Sequence, residues 1–167
     1  MVTAIITVLR QLADVIDAMT DEQYCQNPVG AVTGSAGGHV RHSLDHIDSL
    51  LAGAKRGELD YDQRRRGTEV ETRRSAALDA IERLQARLLD SPPYPEQRLR
   101  LRALVSSGPP TVMRTSVGRE LGFVLSHTVH HNALIAVIAK TLGVPVPDRF
   151  GYAPSTIAHL EASACAR

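Results

Sequence analysis

Tryptophan is absent from this chain, and only two phenylalanines and four tyrosines stand among its 167 residues. The buried stripes must therefore be aliphatic. Cysteine is nearly absent too: Cys25 and Cys165 are too few for a disulfide framework, and neither belongs to a CxxC pair. Charge of one sign is also missing, since 19 Lys and Arg meet 18 Asp and Glu for a formal net charge of +1. That balance gives no electrostatic reason to expect a nucleic-acid or anionic-membrane partner. No apolar run reaches the roughly 18 to 20 residues that span a bilayer. The opening MVTAIITVLRQLADVIDAM is interrupted by Asp14 and Asp17 and lacks the basic start and cleavage site of a signal peptide. These absences predict a soluble protein of the cytoplasm. The short basic run Arg64-Arg65-Arg66, with Asp62 and Glu69 close by, reads as a solvated loop, with anion binding as the alternative.

Histidine, by contrast, is concentrated. Six of the seven fall in two clusters far apart in sequence: His39, His42 and His46 in GGHVRHSLDHIDSLL, and His127, His130 and His131 in ELGFVLSHTVHHNALIAVIAK. Both stretches read as helix, and spacings of three, four and seven place side chains on one helical face. Two helices that each turn such a face inward can close around one metal ion.

The length predicts a single domain over 1–167. Residues 2 to 19 carry Ile5, Val8, Leu9, Leu12, Val15, Ile16 and Met19 at amphipathic-helix spacing. Asn27, Pro28, Gly30 and Gly34 make 21–34 a loop. Ser35 caps a second helix running to about Ala54 and followed by Gly57. A polar connection at Asp60-Tyr61-Asp62 leads to a third helix over 68–89, stopped by Pro92-Pro93. Leu99, Leu101 and Ala103 alternate with Arg98, Arg100 and Arg102, the period of a strand, and 111–115 can return as a hairpin partner. The fourth long helix spans 117–142 and ends at Gly143, and a short helix follows from Pro154. The predicted fold is all-α: a four-helix bundle with a small β-hairpin inserted near 98–115 and a short C-terminal helix.

His127 and His131 lie four apart, so their imidazoles share a face and can chelate one ion. A buried histidine needs partners for both ring nitrogens, and a core has little other reason to collect several. In SAGGHVRHSLDHI, followed some eighty residues later by SHTVHHNALI, the chain resembles the DinB/YfiT-like superfamily of metal-binding four-helix bundles. The likeness runs from the first helix through His131. It implies a three-histidine site with positions open to water, in which the HxxxH pair is His127 and His131. The second-helix ligand, about seven residues past the small polar residue opening that helix, is His42, with His46 the second choice and His39 a further alternative on nearly the same face. His130 matches an inner histidine that is not usually a ligand, and reads as support or interhelical packing. Two departures mark a distinct branch: Asn132-Ala133-Leu134 stands where Arg-Gly-Gln often follows the pair, and the frequently Trp-rich approach to the second helix has no tryptophan. The tail Phe150-Gly151-Tyr152-Ala153-Pro154-Ser155-Thr156 takes no role from its sequence.

Three neutral imidazoles suit zinc, nickel or ferrous iron. Such a site can lower the pKa of bound water or deprotonate a bound thiol. The resemblance favours a small-molecule substrate and thiol S-transfer, because relatives include transferases and isomerases using low-molecular-weight thiols such as bacillithiol or mycothiol. Metal-dependent hydrolysis stands second, and a non-catalytic, stress-associated metal-binding bundle third. A dinuclear oxidase bundle ranks last, since the Glu-x-x-His carboxylate pattern is not found. The resemblance also implies a possible homodimer. Catalytic candidates are Asp45, three past His42 and able to orient its imidazole, and Glu120, seven before His127 on the same face. Glu120 reads either as a general base or ligand, or as an ion pair with Arg119 or a neighbouring helix. Arg41 and Arg119 can meet a substrate carboxylate or be plain solvated charge. Ser126 reads as packing, and His159 as a surface or packing histidine.

Overall fold

In a computed structural model, which describes residues 1–30, 32–63 and 66–165 (side chains of the last helix through 163), the apolar rhythm of the N-terminus folds as α1 (Val2–Asp17). Its Ile5, Ile6, Leu9, Leu12, Val15 and Ile16 are buried, each contributing on the order of 1.5–3 kcal/mol by leaving water. Arg64 and Arg65 of the basic run lie outside the described residues.

The stretch expected as loop after α1 contains a short helix, α2 (Asp21–Cys25). Its start is a reciprocal cap: Thr20 Oγ1 accepts from the Gln23 N–H, and Gln23 Oε1 accepts from the Thr20 N–H. Cys25 ends this helix, exposed, with its Sγ 3.2 Å from the Thr72 carbonyl.

Helix α3 (Ala36–Arg56) begins as expected at Ser35, whose Oγ accepts from the Gly38 N–H at 3.1 Å. It stops at Gly57, left-handed at φ 77°, whose N–H donates to Gly53 O. Ahead of the polar connection expected at Asp60-Tyr61-Asp62 the chain forms a strand, β1 (Glu58–Asp60), with Leu59 buried.

The single helix expected over 68–89 is two. Helix α4 (Glu69–Thr72) and helix α5 (Arg74–Asp90) are separated by Arg73 in an extended conformation. Tertiary contacts explain the break: Tyr24 Oη donates to the Val70 carbonyl at 2.7 Å, occupying an oxygen that a continuous helix would use. Arg74 reaches Asp21 Oδ1 at 2.7 Å and the α1 carbonyls of Ile16 and Asp17 at 3.2 Å each, placing a cation at a helix C-terminus.

The hairpin forms as β2 (Arg98–Ala103) and β3 (Thr111–Ser116), antiparallel, with Leu99 and Leu101 inward and the arginines outward. β1 adds parallel to β2, so the sheet has three strands in the order β1-β2-β3. The two missed residues beside Leu59 carry charges that match: Glu58 and Asp60 pair with Arg100 and Arg102 at 3.2 and 3.8 Å.

Helix α6 (Val117–Thr141) follows β3 directly, capped by Ser116, and α7 (Pro154–Cys165) closes the chain. Helices α1 and α3 each pack against both α5 and α6. The molecule is thus mostly helical, with seven helices among the described residues and one small sheet. By length and composition α6 alone among the described residues resembles a membrane span, but half of its most apolar window is buried in the protein. The 150–156 segment gains a structural role: Phe150 enters the core and Gly151, at φ 77°, lies against the α6 backbone at Asn132 and Ala133.

Candidate metal centre

Packing of α3 on α6 is what joins the two histidine clusters. A buried polar link fixes their register: Ser43 Oγ donates to Thr128 Oγ1 at 3.2 Å, and Thr128 Oγ1 donates to the Val124 carbonyl at 2.7 Å. Next to Ser43 and Thr128 in the chain stand His42 and His127, and with His46, about one turn on, they offer ligand nitrogens that all lie within 4.8 Å of one another. The His131 ring packs edge-on against His42 and His127, with centroids 4.7 and 4.5 Å away. His42 and His127 are therefore in the converging group together with the second-choice ligand His46, and His131 adjoins them.

His39 Nδ1 faces His131 Nδ1 at 3.0 Å, while its Nε2 meets the Thr33 carbonyl at 3.1 Å. His46 Nδ1 lies 2.8 Å from the His42 carbonyl one turn back. Burial lowers the pKa of His39, the Thr33 carbonyl opposing this, and pushes that of His131 down to about 3, helped by the neighbouring rings of His127, His42, His39 and His130. Burial thus favours the neutral form, which binds metals. The donor group is all imidazole, a chemistry that fits zinc, nickel or ferrous iron and not magnesium or calcium, which take oxygen ligands.

The two remaining histidines stand apart from this group. His130 is exposed, its ring edge-on to His131 at 5.3 Å, and His159 is exposed on α7.

Both carboxylate candidates are held by arginine. Asp45 accepts from Arg41 at 2.8 Å, and the same guanidinium reaches Glu71 of α4 at 2.9 Å. Glu120 is completely buried in the first turn of α6. It accepts from Tyr61 Oη (2.9 Å), Thr115 Oγ1 (2.7 Å) and Arg119 (2.9 Å). The ion pair with Arg119 is present, but on the carboxylate side it is interior and not superficial.

Tyr61 and Phe123 are the residues sequence reasoning missed. Tyr61 stacks on His46, centroids 5.0 Å apart at 18°, and Phe123 stacks on His127 at 5.6 Å and 24°. The two aromatic rings lie 5.2 Å from each other, and Arg119 sits 5.4 Å over Phe123. Phe123 had a signal, being four residues before His127. Tyr61 had none, because its place depends on β1 joining the sheet.

A curated protein of Rhizopus delemar named FK506-binding protein 5 is 36% identical over 112 residues, covering 62% of this chain. The chain spans only about 28% of that relative's length. No solved structure matches the chain significantly. The family model of the DinB superfamily matches residues 4–135, a span holding all six clustered histidines, and the chain belongs to that superfamily.

Proposed function

We propose that this chain is a single-domain, four-helix-bundle enzyme of the cytoplasm that binds one divalent ion and transfers a group to or from a low-molecular-weight thiol. Its ligands in this reading are His42, His127 and His131. The observation that carries the reading is the convergence of imidazoles from α3 and α6 on one point. The name of the Rhizopus protein describes a far longer chain and adds nothing to this assignment.

When bound, the ion would favour the thiolate of a coordinated thiol, or the hydroxide of a coordinated water in the hydrolytic alternative. The chain's own groups do the rest. Tyr61 and Phe123 cover His46 and His127 and keep water from that flank. Glu120 holds Tyr61 in place. Arg119, with its guanidinium largely exposed beside Phe123, is placed to meet a substrate carboxylate. Arg41, held by Asp45 within α3, ties α4 to α3 through Glu71.

His46 supports a second reading. A fourth imidazole within reach can close the coordination sphere, which is the mark of a structural or sensing site and not of an open catalytic one.

The test is metal content of protein purified without a histidine tag, wild type beside His42→Ala and His127→Ala. Near-stoichiometric metal that disappears in both variants supports the site, and no uptake of zinc, nickel or iron on titration overturns it. X-ray absorption on the loaded protein then separates three imidazoles plus water from four imidazoles. Thiol-consumption assays follow only in the first case.

A further inference from the structure

His39 is a clustered histidine outside the ligand set that is held at both ring nitrogens. Its Nε2 lies 3.1 Å from the Thr33 carbonyl, and a carbonyl can only accept, so that nitrogen carries the hydrogen. A neutral imidazole has one N–H, which leaves the Nδ1 of His39 as a lone pair. This lone pair faces Nδ1 of His131 at 3.0 Å, so His131 must donate. The single N–H of His131 is then at Nδ1, and its lone pair is at Nε2.

We propose that His39 is a positioning residue: with the Thr33 carbonyl it fixes the ring orientation and tautomer of His131, so that Nε2 is the nitrogen offered to the ion. This rests on the reading in which His131 is a ligand.

The local backbone is built for the contact. Gly34 turns at φ 102°, a conformation other L-residues rarely adopt, and a Cβ there would lie 3.5 Å from His39 Nε2. That turn brings the Thr33 carbonyl against the ring. Ser35 then starts α3 with its side-chain cap, placing His39 one turn in, on the side facing the loop. Metal-bound histidines usually donate their second N–H to a carboxylate, carbonyl or water. Here the acceptor is another imidazole, itself anchored to a carbonyl. His46 uses the simpler arrangement, with its Nδ1 donating to the His42 carbonyl of its own helix.

The experiment has two readouts. In metal-free, ¹⁵N-labelled wild type, long-range proton–nitrogen correlation spectra report which nitrogen of His131 bears the proton, and Nδ1–H is expected. In zinc titrations against a competing chelator, His39→Ala should weaken binding by about 10- to 100-fold, the usual effect of losing such a support. His39→Asn, whose side-chain oxygen falls near the position of the lost Nδ1, should restore most of that. An Nε2–H or doubly protonated His131 in wild type overturns the proposal, as does a folded His39→Ala protein that binds zinc like wild type. If His39→Ala does not fold, the Asn variant and the wild-type spectrum decide. If wild type takes up no zinc, the proposed function fails on its own account, and the His131 tautomer still upholds or overturns the positioning role.

Discussion

The hydroxyl of Tyr61 donates to Glu120 Oε2 at 2.9 Å, joining the residue just past β1 to the first turn of α6. Burial, and then the Glu120 carboxylate beside it, raise the pKa of Tyr61 far above its ordinary value, so the phenol remains a donor. Through this bond the small sheet holds an aromatic ring against His46.

Tyr61→Phe should therefore destabilise the fold by about 1.5–3 kcal/mol, the contribution of a hydrogen bond to a charged group. Urea denaturation of wild type and variant measures it. A change below about 0.5 kcal/mol, the range of surface substitutions, would show that Thr115 and Arg119 satisfy the carboxylate without Tyr61.

Gly37→Ala reverses the usual sign of a helical glycine substitution. Alanine inside a helix is ordinarily better by about 0.8–1 kcal/mol. Here a Cβ would stand 2.1 Å from the Glu71 carbonyl oxygen and 2.7 Å from the Tyr24 ring, where α3 meets α4. Overpacking of this kind costs about 1–3 kcal/mol. The melting temperature should fall, and a rise would mean that α4 moves away freely.

At Gly151 two costs coincide, a left-handed φ of 77° and a Cβ position 2.5 Å from the Ala133 nitrogen. Gly151→Ala should lower stability by at least about 1 kcal/mol and loosen Phe150 from the core. Thermal unfolding tests the first effect and hydrogen exchange along 147–152 the second. Unchanged exchange would mean that the segment docks without this close approach.

Zinc should stabilise the protein by mass action, by about 2.7 kcal/mol when free metal is a hundredfold above the dissociation constant. His127→Ala should abolish the shift, whereas His130→Ala, at an exposed position, should leave it intact. Calorimetric scans with zinc and with chelator read both. An equal shift in wild type and His127→Ala would place the zinc elsewhere.

Much of the architecture was legible in the residues. Ser35 and Gly57 bracket α3 because a side-chain oxygen satisfies the first free N–H groups and a glycine tolerates the left-handed stop. The alternation of Leu99 and Leu101 with three arginines announced β2. The Thr20–Gln23 cap that starts α2 was equally present in the sequence as T-x-x-Q but was outweighed by the prolines and glycines that follow. The break at Arg73 was not legible, because Tyr24 and Arg74 impose it through contacts some fifty residues away.

For the site, the sequence by itself determined that two helices carry histidines on one face each, since three- and four-residue spacing is a local property of the helix. It also determined the family to which those spacings belong. Only the tertiary structure decided which rings meet: that His46 joins His42 and His127, that His39 turns to His131 and the Thr33 carbonyl, and that Tyr61 covers His46. Periodicity assigns a side chain to a face, but the rotation and register of one helix against another choose its neighbours. Those are set by buried contacts such as Ser43 with Thr128, between residues 85 positions apart in the chain.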